Sequence, residues 1–590
     1  MKAFTEPLLS LAGFEEMTKT AEKSSGLISV TGCIDAQKSQ MIYAFGGHRK
    51  NKLIVTFGEQ KAKELYDEYS FFDKEVVYYP SKDVLFYQSD IRGNLLTAER
   101  IRALKAIREQ ERVTLVTTFD ALMNTMAPIE KMWENVLTLE QGQLLDLKEI
   151  QAALIRMGYE KEYQVQTMGQ FSVRGGILDV FPLTEENPIR IELWGDEIDT
   201  IRYFDCESQK SIENTDRVSI YPAAELVLSD EEKAGGIEKL KAEAKRVSDK
   251  LRKQMKTEEA HRVSVMADEL TEEWGELSMY AGMDAFLSYF FDERVGLLDY
   301  FKPSDSLIFF DELTRCVEQG KLTETEFSES MKQRLAMGYI LPGQMNGLFT
   351  EKEIVAKLEK YSCIALAALD NKANGLHQLG SYGIHCQSVS PYNNSFELLI
   401  KDLKRYKKNG YRVILLSGSR TRAKRLSEDI TDQGITCFYT ENYDHELFEG
   451  QIMVCYGKVR RGFEYPILKF AVITESDIFG AQQKKKKRHR TYEGEKIQSF
   501  TDLSVGDYVV HENHGLGIYR GIEKLEVDKK VKDYIKIEYQ GGSNLYILAT
   551  QLDMIQKYAG KDARKPKLNK LGGQEWTRTK NRVRGAVKQI

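Results

Sequence analysis

Between Val30 and Gln40 the chain reads VTGCIDAQKSQ. Gly32, Gln37, Lys38 and Ser39 stand at the spacing of a phosphate-binding loop, G-x-x-x-x-G-K-[ST], with glutamine in place of the second glycine. In a working loop, backbone N–H groups wrap a β-phosphate, the lysine reaches the β/γ oxygens and the hydroxyl ligates Mg²⁺. Glycine lets the backbone come close and take positive φ. A Cβ at Gln37 enters that space, and left-handed geometry there costs about 1–2 kcal/mol. Hydrolysis also needs carboxylates to hold the metal and orient water. Asp311 and Glu312, at the end of the apolar run LIFF, are the candidates. The alternative for this pair is a strand end facing solvent. Transfer between two lobes further asks for an arginine from the second lobe. No Q-x-x-G-R-x-x-R pattern follows FAVITESDIFG, only a lysine run. These residues therefore read as a nucleotide site or its remnant, and hydrolysis by this chain is not expected.

The elements that must position them follow from hydrophobic patterning. KLIVTF (52–57), EVVYYPS (75–81) and VTLVTTF (113–119) read as strands, and 58–72 and 96–110 read as helices. Strands alternating with helices predict a parallel α/β sheet over 1–125. From 126 to 213 the pattern changes to short alternating strands, FSVRGGILDVFP, IRIELW and TIRYFD, which predict an antiparallel α+β insertion. Residues 228–290 are charged and helix-periodic, and SLIFFDEL (306–313) is a further buried strand. A second α/β pattern is expected from about 355, opening with CIALAALD and closing with FAVITESDIFG. Residues 500–558 alternate at period two with glycine at the turns, which predicts a small barrel of about five strands.

The chain has 590 residues, 42% hydrophobic and 29% charged, as in an ordinary globular protein of about three to six domains. Its net charge of -5 gives no global affinity for nucleic acid. Charge is local instead. KKKKRHR (484–490) and the tail 561–590 are basic and read either as segments contacting DNA, RNA or an acidic protein surface or as solvated linkers. Seven dispersed cysteines without C-x-x-C spacing indicate neither zinc nor a redox dithiol, and eight histidines without H-E-x-x-H make a metal enzyme unexpected. No stretch approaches 18 apolar residues, so no membrane partner is expected and the default location is cytoplasmic. The sequence stops at RGAVKQI in a helix-like pattern without a stop signal, so a continuation is expected.

Longer blocks carry a family resemblance. FSVRGGILDVFPLTEENPIRIELWGDEIDTIRYFD resembles the insertion domain shared by UvrB and the transcription-repair coupling factors (the Mfd family). GLLDYFKPSDSLIFFDELTR resembles the UvrB strand carrying its DE(S/A)H box. VRRGFEYPILKFAVITESDIFG is similar to the coupling factors' third domain. LSVGDYVVHENHGLGIYRGIEKLEV is similar to the polymerase-interacting module shared with CarD-type regulators, and KLNKLGGQEWTRTKNRVRGAVKQI to the helix that links this module to the motor. All five blocks stand in the coupling-factor order and cover essentially the whole chain. UvrB carries an intact phosphate loop and this sequence does not, which favours the coupling factors.

The resemblance implies a multidomain α/β fold: two RecA-like, UvrB-like lobes, an α+β insertion domain and a small Tudor-like, CarD-like β-barrel. It divides the chain into 1-125 (UvrB-like, degenerate loop), 126-213 (UvrA-interacting insertion), 214-350 (second UvrB-like part), 355-483 (third domain), 484-499 (basic linker), 500-558 (polymerase-interacting) and 559-590 (linker helix). It implies that Arg174, Arg190 and Trp194 contact UvrA; without it, Arg174 reads as a turn residue and Trp194 as core. It implies that the small barrel binds the β subunit of RNA polymerase, with Leu525 and the nearby Tyr519 and Ile522 as candidates or, alternatively, as core. The chain then reads as an adaptor in transcription-coupled nucleotide-excision repair, with DNA as a further partner. The family's ATP-driven DNA translocase lies C-terminal to the linker helix, so ATP and Mg²⁺ belong to that part and no cofactor is expected here. The alternative is a UvrB-like ATPase or helicase using Lys38, Ser39, Asp311 and Glu312.

Overall fold

In the computed structural model, all residues are described except 46–48, 83–93, 207, 277–282, 370–373, 481–494, 497–502, 512–514, 528–529, 549–554, 559–565, 567 and 570–590. The basic run 484–490, most of the basic tail and the expected linker helix lie outside the described residues.

Apolar runs with no polar alternation build strands buried on both faces. Such runs fill the middle of one seven-stranded parallel sheet, whose edge strand Gln378–Gly383 is polar and partly exposed, in the order Gln378–Gly383, Gly26–Thr31, Ser362–Leu366, Ser306–Asp311, Asn51–Thr56, Val113–Thr118, Val77–Tyr79. The expected strands and helices of the first segment are present at Asn51–Thr56, Glu59–Phe72, Val77–Tyr79, Asn94–Glu109 and Val113–Thr118.

One strand joins a different sheet from the one expected. Sequence patterning puts Ser362–Leu366 at the head of the second α/β pattern. It lies instead inside the first sheet, where Ile364 stands beside both Ile28 and Phe309. Patterning identifies a strand but not its neighbours. Here the helices Leu313–Ala336 and Glu351–Leu358 carry the chain from Ser306–Asp311 back to the adjacent position.

The insertion leaves the first sheet after Val113–Thr118 and returns before Ser306–Asp311. Its six-stranded sheet runs Ser211–Asn214, Glu197–Phe204, Ile189–Trp194, Ile177–Val180, Gln170–Arg174, Glu160–Lys161, antiparallel except for the last pairing. Leu137–Glu140 pairs with Arg217–Ile220, so the module closes beyond the expected boundary at 213. A helical hairpin, Asp230–Lys253 and Thr257–Glu276, follows.

A second α/β unit has the order Gln387–Ser388, Phe463–Tyr465, Phe470–Thr474, Arg412–Ser417, Ile452–Tyr456, Phe438–Tyr439. The last four are parallel to one another. Helices Phe396–Lys408 and Arg420–Asp432 cover one face through Leu399, Leu403, Ala423 and Ile430. The other face, with Ile414, Leu416, Met453 and Val472, shares a single apolar core with Phe4, Met41, Ile42, Phe71 and Ile28 of the first unit.

The C-terminal strands form a six-stranded sheet, Glu495–Lys496, Ile555–Lys557, Tyr508–His511, Gly515–Val527, Lys530–Glu538, Asn544–Leu548. Val509, Tyr519, Ile535, Ile537 and Tyr539 make its core. Among the described residues no pairing joins its two ends, so the expected closed barrel is an open sheet here. Period-two alternation marks half-buried strands but does not specify closure.

Candidate functional site

The phosphate-loop spacing falls where a strand meets a helix. Gly26–Thr31 ends, Gly32 turns at φ +77, and the helix Asp35–Phe45 begins. A Cβ on Gly32 would stand 2.0 Å from the Ile384 carbonyl oxygen, so this glycine serves close packing. The loop's own donors are used: Gly32 N–H donates to the Ala368 carbonyl at 3.3 Å and Cys33 N–H to the Ala367 carbonyl at 2.9 Å.

Gln37 does not sit where a second loop glycine would. The helix starts two residues before it, and Gln37 is absent from the positive-φ residues. The expected left-handed strain therefore does not arise. Gln37 is instead fully buried, and its Oε1 accepts from the Tyr465 hydroxyl at 3.0 Å. The same hydroxyl lies 3.2 Å from Gln40 Oε1. Tyr465 belongs to the second α/β unit, so this strand-to-helix turn is part of the seam between the units.

Lys38 is 1% exposed and has three protons to donate. Three carboxylates surround its Nζ: Asp311 at 2.5 Å, Glu312 at 2.8 Å and Asp35 at 3.2 Å. Burial opposes its charge, but the attraction of Asp311 and Glu312 outweighs that and holds its pKa above the ordinary lysine value. Asp311 is 2% exposed, and its second oxygen accepts from Thr56 Oγ1 at 2.9 Å. Glu312 takes the left-handed conformation, φ 59, and also accepts the Ala368 N–H at 3.1 Å. Asp311 is thus shut off from solvent and Glu312 is 23% exposed, and both hold Lys38. Ser39 Oγ is buried with no hydrogen-bond partner among the described residues. Burial pushes the Cys33 thiol up to about 12, so it is not a nucleophile.

The three residues expected at the UvrA contact lie on one face of the insertion sheet and its turn. Arg190 makes a two-pronged pair with Asp179, at 2.7 and 2.8 Å, and bonds Gln209 Oε1 at 2.8 Å. The Asp179 bonds raise the Arg190 pKa. Arg174 donates to the same carboxylate at 2.9 Å and is 36% exposed. Asp179 itself is 1% exposed. The resemblance gives both arginines to a contact with UvrA. The structure assigns the fork of Arg190 to Asp179 and leaves Arg174 partly open. Trp194 is 84% exposed, which removes the core alternative. It borders a groove with Glu140, Glu197, Asp199 and Asp216.

The polymerase candidates separate. Tyr519 is fully buried in the small sheet's core, so it does not reach a partner directly. Ile522 is half-buried against that core. Leu525 stands opposite Lys532, and its side chain lies outside the described residues. Tyr508–His511 pairs with Gly515–Val527 only as far as Ile518. The strand Ile522–Val527 is therefore paired on one side by Lys530–Ile535 and has no strand on the other among the described residues.

Three residues that matter were not read from the sequence. Asp179 had a signal: an acid inside the apolar run ILDVF needs a cation when buried. Tyr465 had none, because its partner Gln37 lies 428 residues away. Glu68, buried at the seam and accepting the Arg460 N–H at 3.2 Å, had none either.

Two family models match the chain: the UvrB interaction domain over 137–226 and the CarD-like/TRCF RID domain over 503–559. The Bacillus subtilis (strain 168) transcription-repair-coupling factor is 32% identical over 541 residues, covering 91% of this chain and 45% of that protein. The Staphylococcus haemolyticus factor is 30% identical over 575 residues, covering 95% of this chain and 48% of that protein. The Staphylococcus aureus (strain USA300) factor is 29% identical over 592 residues, covering 98% and 49%. The chain spans about half the length of these relatives. Over nearly its whole length the chain is a homologue of the transcription-repair-coupling factors and carries both the UvrB interaction domain and the CarD-like RID domain of that kind of protein.

Proposed function

We propose that this chain is the recruiting part of a transcription-coupled nucleotide-excision repair factor. One module, within 503–559, engages the β subunit of RNA polymerase, and the other, within 137–226, engages UvrA. The observation that carries this reading is the presence of both matched modules on a chain whose phosphate loop has its lysine and its first N–H donors committed internally. The side of Ile522–Val527 that has no strand beside it among the described residues suits strand addition, in which main-chain bonds give affinity and alternate side chains give specificity. The exposed Trp194 and half-open Arg174 suit an interface anchor and a carboxylate fork. In this reading the α/β units descend from UvrB-like lobes, the small sheet from a CarD-like barrel, and the basic segments 484–490 and 561–590 contact upstream DNA. The ATP-dependent translocase belongs to residues outside this chain, which itself hydrolyses nothing.

The test is capture of purified RNA polymerase and purified UvrA on the immobilised chain, with ATP·Mg²⁺ titrated by calorimetry. Retention of both proteins and no binding heat is the expected result. Retention of neither, or tight ATP binding, overturns the reading.

A further inference from the structure

The outer surface of the second α/β unit is chemically lopsided. Lys401, Lys404 and Lys408 are exposed on the helix Phe396–Lys408, and Arg422, Lys424 and Arg425 on the helix Arg420–Asp432. The second helix has no acidic residue in its first turn, where carboxylates are favoured and cations oppose the helix dipole. Lys401, Lys404, Lys408 and Arg425 form no ion pair among the described residues. This basic face lies in a chain of net charge -5. Between the two helices, at the carboxyl ends of parallel strands, runs a groove of 540 Å³. It is lined by Phe396, Leu426 and Phe479, by Arg422 and Arg425, and by the acids Asp429, Asp432 and Glu475, and Phe479 is 42% exposed. Ligands of open parallel sheets bind at this end of the strands. Asp429 and Asp432, farther along the second helix, line the groove's other stretch, so its basic part is the one beside Arg422 and Arg425 at the helix's N-terminal half.

Free cations beside exposed aromatic rings are the two parts of a single-strand nucleic-acid platform: the cations track phosphates and the rings stack on bases. Cations alone would fit any polyanion, and it is the aromatic groove that favours an unpaired strand over a duplex. We infer that this face binds single-stranded nucleic acid, with phosphates at Lys401, Lys404 and Arg425 and a base against Phe479. Arg422 is held by Glu475, which also accepts the Gly418 N–H at 2.6 Å, and so sets the groove's end wall. The inference does not depend on the recruitment reading, since neither matched module includes these residues.

The experiment is fluorescence anisotropy on the full chain, using labelled oligothymidine of about twenty nucleotides and a duplex of equal length, between roughly 50 and 200 mM salt. The parent chain is expected to prefer the single strand. Lys401→Gln/Lys404→Gln/Arg425→Gln should weaken binding and flatten the log K against log salt slope by about 2. Phe479→Ala should weaken single-strand binding by about tenfold and leave the slope in place. All four residues are at least partly exposed, and unchanged thermal melting of both variants is the folding control. Parent-like binding by either variant overturns the inference. So does a loss of binding that only neutralisation of 484–490 produces, or an equal preference for the duplex.

Discussion

Tyr465 directs its hydroxyl at Gln37, 3.0 Å from the amide oxygen, across the boundary between two α/β units. The glutamine that stands in the pattern at the second glycine's place joins the second unit to the first. Tyr465→Phe leaves Gln37 and Gln40 with buried, unpaired oxygens. It should cost about 1–3 kcal/mol in chemical denaturation. Gln37→Gly should likewise destabilise the chain and confer no nucleotide binding in calorimetry, because Lys38 and the Gly32 and Cys33 N–H groups remain engaged.

Lys38→Met removes the cation from between Asp311 and Glu312 and leaves the buried Asp311 and the partly exposed Glu312 uncompensated. The expected loss is about 3–5 kcal/mol in urea unfolding. A loss below about 1 kcal/mol would show that these charges are solvated and that the loop is open after all.

Glu68 supplies a pH dependence. Burial raises its pKa from 4.5 to about 7, only partly offset by the Arg460 N–H and the charges of Lys61 and Arg460. The native state therefore keeps a proton that the unfolded chain has released, so stability falls as pH rises between about 4.5 and 7. The full effect is about 3 kcal/mol. Glu68→Gln should be more stable than the parent at pH 8, and the two should converge near pH 4 in parallel melts.

Asp179 holds Arg190 and Arg174 together, so their roles can be separated. Arg174→Glu should weaken UvrA capture and leave the melting temperature within a few degrees. Asp179→Asn should lower the melting temperature, because it weakens the charge that satisfies Arg190. Unchanged UvrA capture by a folded Arg174→Glu chain would remove this residue from the interface.

Leu525→Arg tests the open strand. The variant should retain the parent's circular dichroism and lose RNA polymerase capture. Tyr519→Ala should unfold the small sheet, since Tyr519 is part of its core. A Leu525→Arg chain that unfolds would make Leu525 a core residue instead.

Much of this was legible in the sequence because it is local. Apolar runs such as LIVT and TLVTT cannot be anything but buried, and their lengths suit strands. Gly32 and Lys38 were visible from spacing, and the lone acid in ILDVF, Asp179, could have been. What spacing does not carry is partnership. Nothing around Tyr465 announces Gln37, and nothing in SCIAL announces that this strand sits between Gly26–Thr31 and Ser306–Asp311. Nor does period-two alternation at Tyr519 say which face is inward. Those facts are set by tertiary packing, where one register choice decides which side chains meet.

The late strand Ser362–Leu366 has a consequence for biosynthesis. It bridges Gly26–Thr31 to Ser306–Asp311, so the first sheet cannot close on a ribosome until residue 366 has emerged. Until then the nascent chain presents two unpaired parallel strand edges. A synthesis rate of about 5–20 residues per second makes that exposure last many seconds. The insertion domain, whose strand pairings all fall between 137 and 220, has its partners in hand well before that. Chaperone dependence should therefore track the first sheet and spare the insertion.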